Sequence, residues 1–300
     1  MKKYATITVS LILFIATLII ISTAGYCEET RNIRYVGGSG EGNYSSIQDA
    51  IDESIEGDTI FVYSGVFYGC ININKSLNLI GENKESTIIV YNNNLGPLID
   101  VISIVASNVS ISGFTIKDGP ISGIRIDGFE NCDIYQNIID KNSIGIWIRL
   151  SNNSNIYNNT ISNNSITGIS INKILPAYEG ELCSENIVIY HNNFINNTQH
   201  AKDECASIWS YYNEGNYWDN YSGLDKNNDG IGDESYISEE GNIIDEYPLM
   251  MPYVGNLRIK EFYIDEGQLY LMLIIGLIVA SLFVLPIGYF WYRKYYKVKK

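Results

Sequence analysis

The segment from Asp225 to Asp233 holds residue types at a spacing that could bind a metal ion. Calcium loops of the EF type place oxygen ligands at positions 1, 3, 5, 7 and 9, with glycine at position 6 for a sharp turn. These ligand positions are filled, in order, by Asp225, Asn227, Asp229, the carbonyl of Ile231, and Asp233. Gly230 supplies the turn, but Tyr236 stands at position 12, where a bidentate carboxylate is expected. The spacing predicts a weak calcium site, and a metal-free acidic turn is the alternative.

Two cysteines could form a covalent link. Cys183 and Cys205 lie 22 residues apart and flank the most irregular stretch of the central sequence. We predict that they form a disulfide, and two buried free thiols are the alternative. The states of Cys27, Cys70 and Cys132 are left open.

Tyrosines and asparagines recur at matching offsets. The two series are Tyr135, Tyr157 and Tyr190, each following an isoleucine, and Asn137, Asn159 and Asn192, each two residues further on. Stacked strands would align each series at a spacing of about 4.8 Å. We interpret the asparagines as a structural ladder of amide hydrogen bonds. We interpret the tyrosines as a flat platform for carbohydrate, with cross-strand aromatic packing as the alternative.

Catalytic and copper-binding residues are less evident. The charged residues that would face outward in the repeats are few: Asp133, Lys117, Arg125, Lys141 and Arg149. No carboxylate pair of the kind used for acid–base chemistry on glycans stands out, so no catalytic residue is predicted and a non-enzymatic protein is favoured. Arg125 and Arg149, 24 residues apart, are interpreted as neighbouring solvated charges. Copper prefers imidazole and soft ligands, and His191, His200 and a few scattered methionines do not favour it.

The sequence contains eight Asn-x-Ser/Thr triplets: Asn43, Asn74, Asn108, Asn152, Asn158, Asn163, Asn196 and Asn220. Asparagine-rich turns create such triplets by chance, so several are expected to be structural. We predict glycans at turn tips, at Asn152 and Asn163 first.

Internal repetition indicates which elements position these residues. Ile111, Ile134, Ile156 and Ile189 are equivalent positions separated by 23, 22 and 33 residues, the last interval being enlarged by an insertion at 175–183. Each unit holds short alternating segments of β-branched residues separated by Asn, Ser and Gly, which is typical of strands and turns. One such unit cannot bury its apolar face alone, whereas stacked units can. The pattern predicts an all-β fold, a right-handed parallel β-helix with about 22–23 residues per coil.

An open β-helix end exposes unpaired strand edges, so end caps are expected. Residues 45–55 predict an N-terminal capping helix, because Ser45 and Gln48 form a capping-box pattern. Ile47, Ala50, Ile51 and Ile55 fall on one face of that helix. A strand at Thr59–Tyr63 follows.

This helix-then-strand opening resembles the N-terminal cap of pectin-lyase-like proteins. Three later segments, 215–223, 225–233 and 245–250, resemble the ending of archaeal surface proteins related to the NosD-type periplasmic copper-binding β-helix family. The resemblance covers about residues 33–252. It implies a parallel β-helix fold, and the family name implies copper.

The two ends of the chain predict its location. Residues 1–25 have the layout of an export signal, with two lysines, an apolar run and small residues. Residues 269–292 form an uncharged apolar run long enough to cross a bilayer, and the tail at 293–300 is basic. Positive flanks stay on the cytoplasmic side, so we predict a single-pass membrane protein whose body is extracellular.

All 34 acidic residues lie between those ends, while seven of the 20 Lys and Arg lie within them. The body is therefore strongly acidic, which excludes nucleic acid as a partner. We divide the chain into a signal (1–25), an N-terminal cap (28–58), a β-helix (59–214), a C-terminal cap (215–255), a linker (256–268), a transmembrane helix (269–292) and a tail (293–300). A carbohydrate-binding or envelope-structural module is favoured; a polysaccharide lyase, hydrolase or epimerase, and copper delivery, are the alternatives.

Overall fold

A computed structural model describes residues 32–92, 99–175, 180–238 and 241–255. The predicted export signal, linker, transmembrane helix and basic tail lie outside these residues. Within the described ranges, no helix combines the length and apolar character that crossing a membrane requires.

Three parallel sheets wind around one core. Sheet A stacks β1 (Ile33–Val36), β2 (Thr59–Val62), β5 (Asn78–Gly81), β8 (Ser110–Ser112), β11 (Asp133–Tyr135), β14 (Asn155–Tyr157) and β17 (Val188–Tyr190). Sheet B stacks β3 (Gly65–Tyr68), β6 (Thr87–Val90), β9 (Thr115–Lys117), β12 (Ile138–Asp140), β15 (Thr160–Ser162), β18 (Asn193–Ile195) and β20 (Tyr217–Trp218). Sheet C stacks β4 (Ile71–Ile73), β7 (Ile102–Ile104), β10 (Ser122–Asp127), β13 (Ile144–Arg149), β16 (Thr167–Asn172) and β19 (Ala201–Asp203). The predicted parallel β-helix is confirmed.

The isoleucine series sets the register. Ile111, Ile134, Ile156 and Ile189 pair in sequence across sheet A, and all four side chains are buried. Each strand therefore covers the apolar side chain of the strand below it, which is how a short repeat acquires a continuous core. The 33-residue interval leaves this pairing intact because its extra residues lie between β16 and β17.

Buried asparagines form a second ladder at the bend between sheets A and B. The Asn137 amide donates to Asn159 Oδ1 at 3.3 Å, and the Asn159 amide donates to Asn192 Oδ1 at 3.0 Å. The ladder continues to Asn216, at 3.0 Å from Asn192. These side chains also satisfy backbone amides and carbonyls that the sharp bend removes from the sheets, so the ladder is structural.

The N-terminal cap contains helix α1 (Ile47–Asp52), whose buried residues Ile47, Ala50 and Ile51 face the core. Its N-cap is Ser46, which accepts from the Asp49 amide, so the predicted cap at Ser45 is one residue early. Ile55 lies beyond the helix and is exposed, because the chain turns before completing another helical turn. The cap also includes β1, so sheet A begins before residue 59, where the β-helix was predicted to start.

The C-terminal cap closes the other end with aromatic rings. Phe194, Trp218 and Tyr236 stack in turn, with centroids 4.3 and 4.1 Å apart. Tyr236 belongs to an antiparallel pair, β21 (Tyr236–Ile237) and β22 (Ile244–Asp245). The buried Asp245 accepts from the Trp218 indole N–H at 2.9 Å and from the Asn216 backbone N–H at 2.7 Å. Burial raises the pKa of Asp245 even though these hydrogen bonds favour its charged form.

Candidate functional site

The outer face of sheet C carries a block of four side chains on two adjacent strands. Arg125 on β10 lies opposite Trp147 on β13, and Asp127 lies opposite Arg149. Residues two apart on a strand point to the same face, so register alone gathers two guanidiniums, a carboxylate and an indole. We call these four residues the Arg–Trp block.

Asp127 is the centre of the block. Arg149 donates to both of its oxygens, with Nε at 3.1 Å from Oδ1, and Arg125 Nη2 lies 2.5 Å from Oδ2. Burial opposes the charged carboxylate, but the hydrogen bonds from Arg149 and Arg125 outweigh it and hold the pKa of Asp127 below its usual range. The same hydrogen bond, from Arg149 to Asp127, raises the pKa of Arg149. Asp127 is therefore an ionised acceptor at neutral pH.

Trp147 packs against both guanidiniums. The Arg125 and Arg149 guanidinium carbons lie 5.0 and 5.4 Å from the ring centroid, within the range of cation–π attraction. The indole N–H donates to Asn172 Oδ1 at 2.8 Å. The two guanidiniums and the hydrogen bond to Asn172 together fix the orientation of the ring on the outer face of sheet C.

A second carboxylate adjoins the block. Asp100 is buried and accepts from the Ser122 hydroxyl at 2.6 Å. Its Oδ2 lies 3.7 Å from Arg125 Nη1, so Arg125 contacts Asp100 and Asp127 at once. Arg125 and Arg149 are neighbours, as predicted. The prediction that they are simply solvated charges is wrong, because both are half-buried members of one hydrogen-bonded cluster.

The tyrosine row forms a stack, which is the cross-strand aromatic packing that the sequence offered as the alternative to a flat platform. Tyr135 and Tyr157 have centroids 5.0 Å apart and planes inclined by 3°; Tyr157 and Tyr190 are 5.2 Å apart at 7°. Parallel rings lying side by side in one plane would collide at this spacing, so the rings must overlap face to face. Their faces cover one another, and a sugar ring would meet mainly their edges and hydroxyl groups.

Burial favours the neutral form of these phenols. It raises the pKa of Tyr190 to about 12 and raises that of Tyr157 further, with the nearby Asp133 carboxylate adding to both effects. Asp133 itself accepts from the Asn155 amide at 2.8 Å, beside the stack. The row is extended by Tyr211, 5.0 Å from Tyr190.

The predicted calcium loop is an exposed, internally hydrogen-bonded turn. Asp225 accepts from the amides of Asp229 at 3.2 Å and Gly230 at 3.0 Å, and Gly230 adopts φ +88°. Asp233 accepts from the Lys226 amide at 2.7 Å. Throughout the described residues, no group of three or more His, Cys, Asp and Glu side chains is arranged to hold a metal ion. Calcium would therefore have to draw the loop's oxygens together, and the site stays a prediction.

The structure joins Cys183 to Cys205, with Cα atoms 5.2 Å apart, as the sequence predicted. The link ties the insertion to the turn that follows β19. Cys70 and Cys132 are free thiols, and burial raises the pKa of Cys132 to about 11.

The two glycosylation candidates differ in exposure. Asn163 is exposed, but its amide donates to Asp140 at 2.6 Å. Asn152 is half-buried, and its oxygen accepts from the Glu185 amide at 2.8 Å. Both modifications stay predictions.

The sequence model of the family described as periplasmic copper-binding protein (NosD) matches residues 51–177. Over these residues, the β-helix is similar to that family. The probable ABC transporter binding protein NosD of Stutzerimonas stutzeri is 38% identical over 73 residues, which are 24% of this chain and 16% of that protein. The chain thus matches about a sixth of the length of this curated relative.

Solved structures with a similar fold include pectin methylesterases and an alginate lyase. The carrot pectin methylesterase has a TM-score of 0.37 and 14% identity over 55% of this chain and 63% of its own. The alginate lyase of a Paenibacillus species has a TM-score of 0.36 and 11% identity over 54% and 61%. Pectin methylesterase PemA of Erwinia chrysanthemi has a TM-score of 0.31 and 12% identity over 67% and 74%.

The donor groups in the described residues do not form a copper site. His191 Nε2 lies 2.5 Å from Glu214, and His200 Nε2 lies 2.8 Å from Asp219, so the histidines are engaged with different carboxylates. Burial lowers the pKa of His200 although Asp219 acts in the opposite direction. In the described part of the chain two cysteines are joined as a disulfide and Cys132 is buried. Imidazole and thiolate ligands, which copper prefers, are therefore not gathered at one site.

Proposed function

We propose that this chain is a membrane-anchored extracellular module that binds carbohydrate on the outer face of sheet C. The observation that carries the proposal is the Arg–Trp block, in which Trp147 packs against two guanidiniums that share the carboxylate of Asp127. Carbohydrates present paired hydroxyl groups and apolar ring faces. Planar, bidentate side chains and an oriented aromatic ring are suited to both.

The block is also pre-organised. Its side chains are fixed by mutual hydrogen bonds, so binding would cost little side-chain entropy. The ionised Asp127 is the acceptor for ligand hydroxyls, and the unused N–H groups of Arg125 are the donors. The tyrosine row offers less, because its stacked rings would present mainly edges and hydroxyl groups to a ligand.

Anchoring and location rest on the chain ends. The apolar run at 269–292, its basic tail and the export signal at 1–25 support a single span with the β-helix outside. Extraction of membranes with alkaline carbonate tests this: the full chain should remain in the pellet. A protease added outside intact cells should remove the β-helix and leave an epitope after Lys300 protected.

A glycan array probed with the purified full chain tests carbohydrate binding. Binding should be lost in Trp147→Ala, which removes the oriented ring. Tyr157→Phe is the matched control, because it keeps the aromatic stack and removes only a hydroxyl, and it should bind normally. Loss in Tyr157→Phe with retention in Trp147→Ala would move the site to the tyrosine row. No binding by a folded protein would favour the envelope-structural role.

A glycan-acting enzyme is the second candidate, and it is favoured by the contact of Arg125 with both Asp100 and Asp127. Paired carboxylates are the usual acid–base machinery for glycosidic bonds. Against it, the lowered pKa of Asp127 suits a base or charge stabiliser and not a proton donor. New reducing or unsaturated sugar ends from a polysaccharide panel, absent with Asp127→Asn, would establish this candidate.

A further inference from the structure

Exposed apolar side chains concentrate at the C-terminal end of the β-helix. Among the described residues, eight large apolar side chains after Asp203 are exposed: Ile208, Tyr211, Tyr212, Leu224, Ile237, Ile244, Met251 and Val254. Tyr212 is 84% exposed, Met251 75% and Val254 92%. Only ten others are spread over the much longer part before Asp203.

Hydrogen bonds and ring contacts connect one group of these residues. Tyr253 stacks on His191 at 4.1 Å, and its backbone amide donates to Asn193 at 2.6 Å. His191 packs edge-on against Tyr190 at 5.0 Å. Tyr190 in turn contacts Tyr211, and Tyr211 contacts Tyr212 at 4.3 Å. The last described residues therefore lie beside the exposed tyrosines at the end of sheet A.

The cap hairpin adds a second group at the same end. Tyr236 stacks inward on Trp218, and successive residues of a strand point to opposite faces. Ile237 pairs with Ile244 on the outer face, and both are exposed. The hairpin thus presents an apolar pair away from the core that it closes.

Few residues separate this end of the β-helix from the predicted span in the sequence. Gly255 precedes Leu269 by 14 residues, which extend over at most about 50 Å. A surface tethered this closely has a high effective concentration at the bilayer, so modest apolar burial is sufficient for contact. Tyrosines and aliphatic side chains suit the region between headgroups and acyl chains.

We propose that the C-terminal end of the β-helix docks on the bilayer surface through Tyr212, Met251, Val254 and the Ile237–Ile244 pair. This inference rests on the membrane anchoring proposed above. The Asp225–Asp233 loop belongs to the same cap, and its carboxylates repel anionic headgroups. The lipid partner is therefore a neutral or zwitterionic surface.

The test uses the full chain in nanodiscs of phosphatidylcholine with brominated acyl chains. A fluorescent amino acid is introduced singly by codon suppression at Tyr212, at Phe283 inside the predicted span, and at Ile166. Ile166 is an exposed apolar residue outside the cap and is the matched control. Brominated lipid should quench the probes at 212 and 283 but not the one at 166. Met251→Ser combined with Val254→Ser should restore fluorescence at 212 only.

The outcomes separate docking from anchoring. Quenching at 283 without quenching at 212 would overturn docking while anchoring stands. Loss of quenching at 283 would overturn anchoring, and with it the docking. A probe at 212 that is shielded from aqueous iodide but not quenched by lipid would assign this surface to a second copy of the chain and would also overturn the proposal.

Discussion

Each buried asparagine of the ladder replaces several backbone partners at the bend of a coil. The Asn159 side chain accepts from the Asn137 backbone N–H at 3.0 Å and donates to Ile134 O at 2.8 Å and to Asn192 Oδ1 at 3.0 Å. Removing such a group leaves buried donors and acceptors unpaired, which costs more than the bonds themselves contribute.

We expect Asn159→Ala to lower the free energy of unfolding by on the order of 3 kcal/mol, because its partners cannot reach water. Asn155→Ala, which removes one half-buried hydrogen bond to Asp133, should cost less than about 1 kcal/mol. Urea unfolding followed by circular dichroism measures both. Equal losses of unfolding free energy in the two variants would show that the buried ladder contributes no more to stability than a half-buried hydrogen bond.

Asp127 makes stability depend on pH in an acidic window. Its pKa is lowered in the folded state, so its contribution is present above the unfolded value of about 3.9 and is lost as the pH falls through the folded value. Asp127→Asn should therefore be less stable at neutral pH and should lose less stability below about pH 4. Arg149→Gln should act in the same direction because it removes the stronger partner. Thermal melting of the unaltered protein and of both variants, from pH 7 to pH 2.5, measures this. An equal fall in melting temperature with pH for all three proteins would contradict the prediction.

Regular positions could be predicted from the sequence, and irregular ones could not. The Ile and Asn series follow from the repeat offset alone. The Arg–Trp block was within reach too: pairing Ile124 with Ile146 places Arg125 opposite Trp147 and Asp127 opposite Arg149. Asp100 was not, because it precedes the regular series of repeats, whose first isoleucine is Ile111. The stacking of the tyrosines depends on ring orientation, which spacing does not determine.

At the scale of elements, the insertion after β16 is secured covalently. The Cys183–Cys205 link closes a segment of 22 residues that includes β17, β18 and β19. A closure of this length is expected to stabilise the fold by about 3 kcal/mol. Cys183→Ser combined with Cys205→Ser should show that loss in thermal melting, and a reductant should reproduce it in the unaltered protein. Cys70→Ser is the control and should melt normally.

The C-terminal cap should respond to calcium if its loop binds the ion. Calcium that binds only the folded loop raises the melting temperature, and a chelator lowers it. Asp225→Ala should abolish that difference, whatever it does to the baseline, because it removes a charged ligand. Glu185→Ala removes an exposed acid elsewhere and should preserve the difference. Identical melting of the unaltered chain in calcium and in chelator would leave the loop a metal-free turn.

At the scale of the whole molecule, the coil is the unit of construction. Removing Asp133–Ser154 deletes β11, β12 and β13 and brings β8 against β14 in the same register. This variant should fold with a normal strand spectrum and a length shorter by about 4.8 Å in solution scattering. It should not bind glycan, because Trp147 and Arg149 are gone. Removing only Asp133–Ser143 should unfold the chain, since the remaining strands lose register; a native spectrum would contradict the coil as the unit.

The insertion between β16 and β17 also makes the molecule a display scaffold. Ile174 and Leu182 pair across its base, while Ile156 still pairs with Ile189 as if no residues had been added. Because this corner tolerates added residues without a change of strand register, it should also tolerate an inserted foreign sequence. An epitope or a small fluorescent domain grafted there should therefore leave the pairing of Ile156 with Ile189, and with it the β-helix core, unchanged.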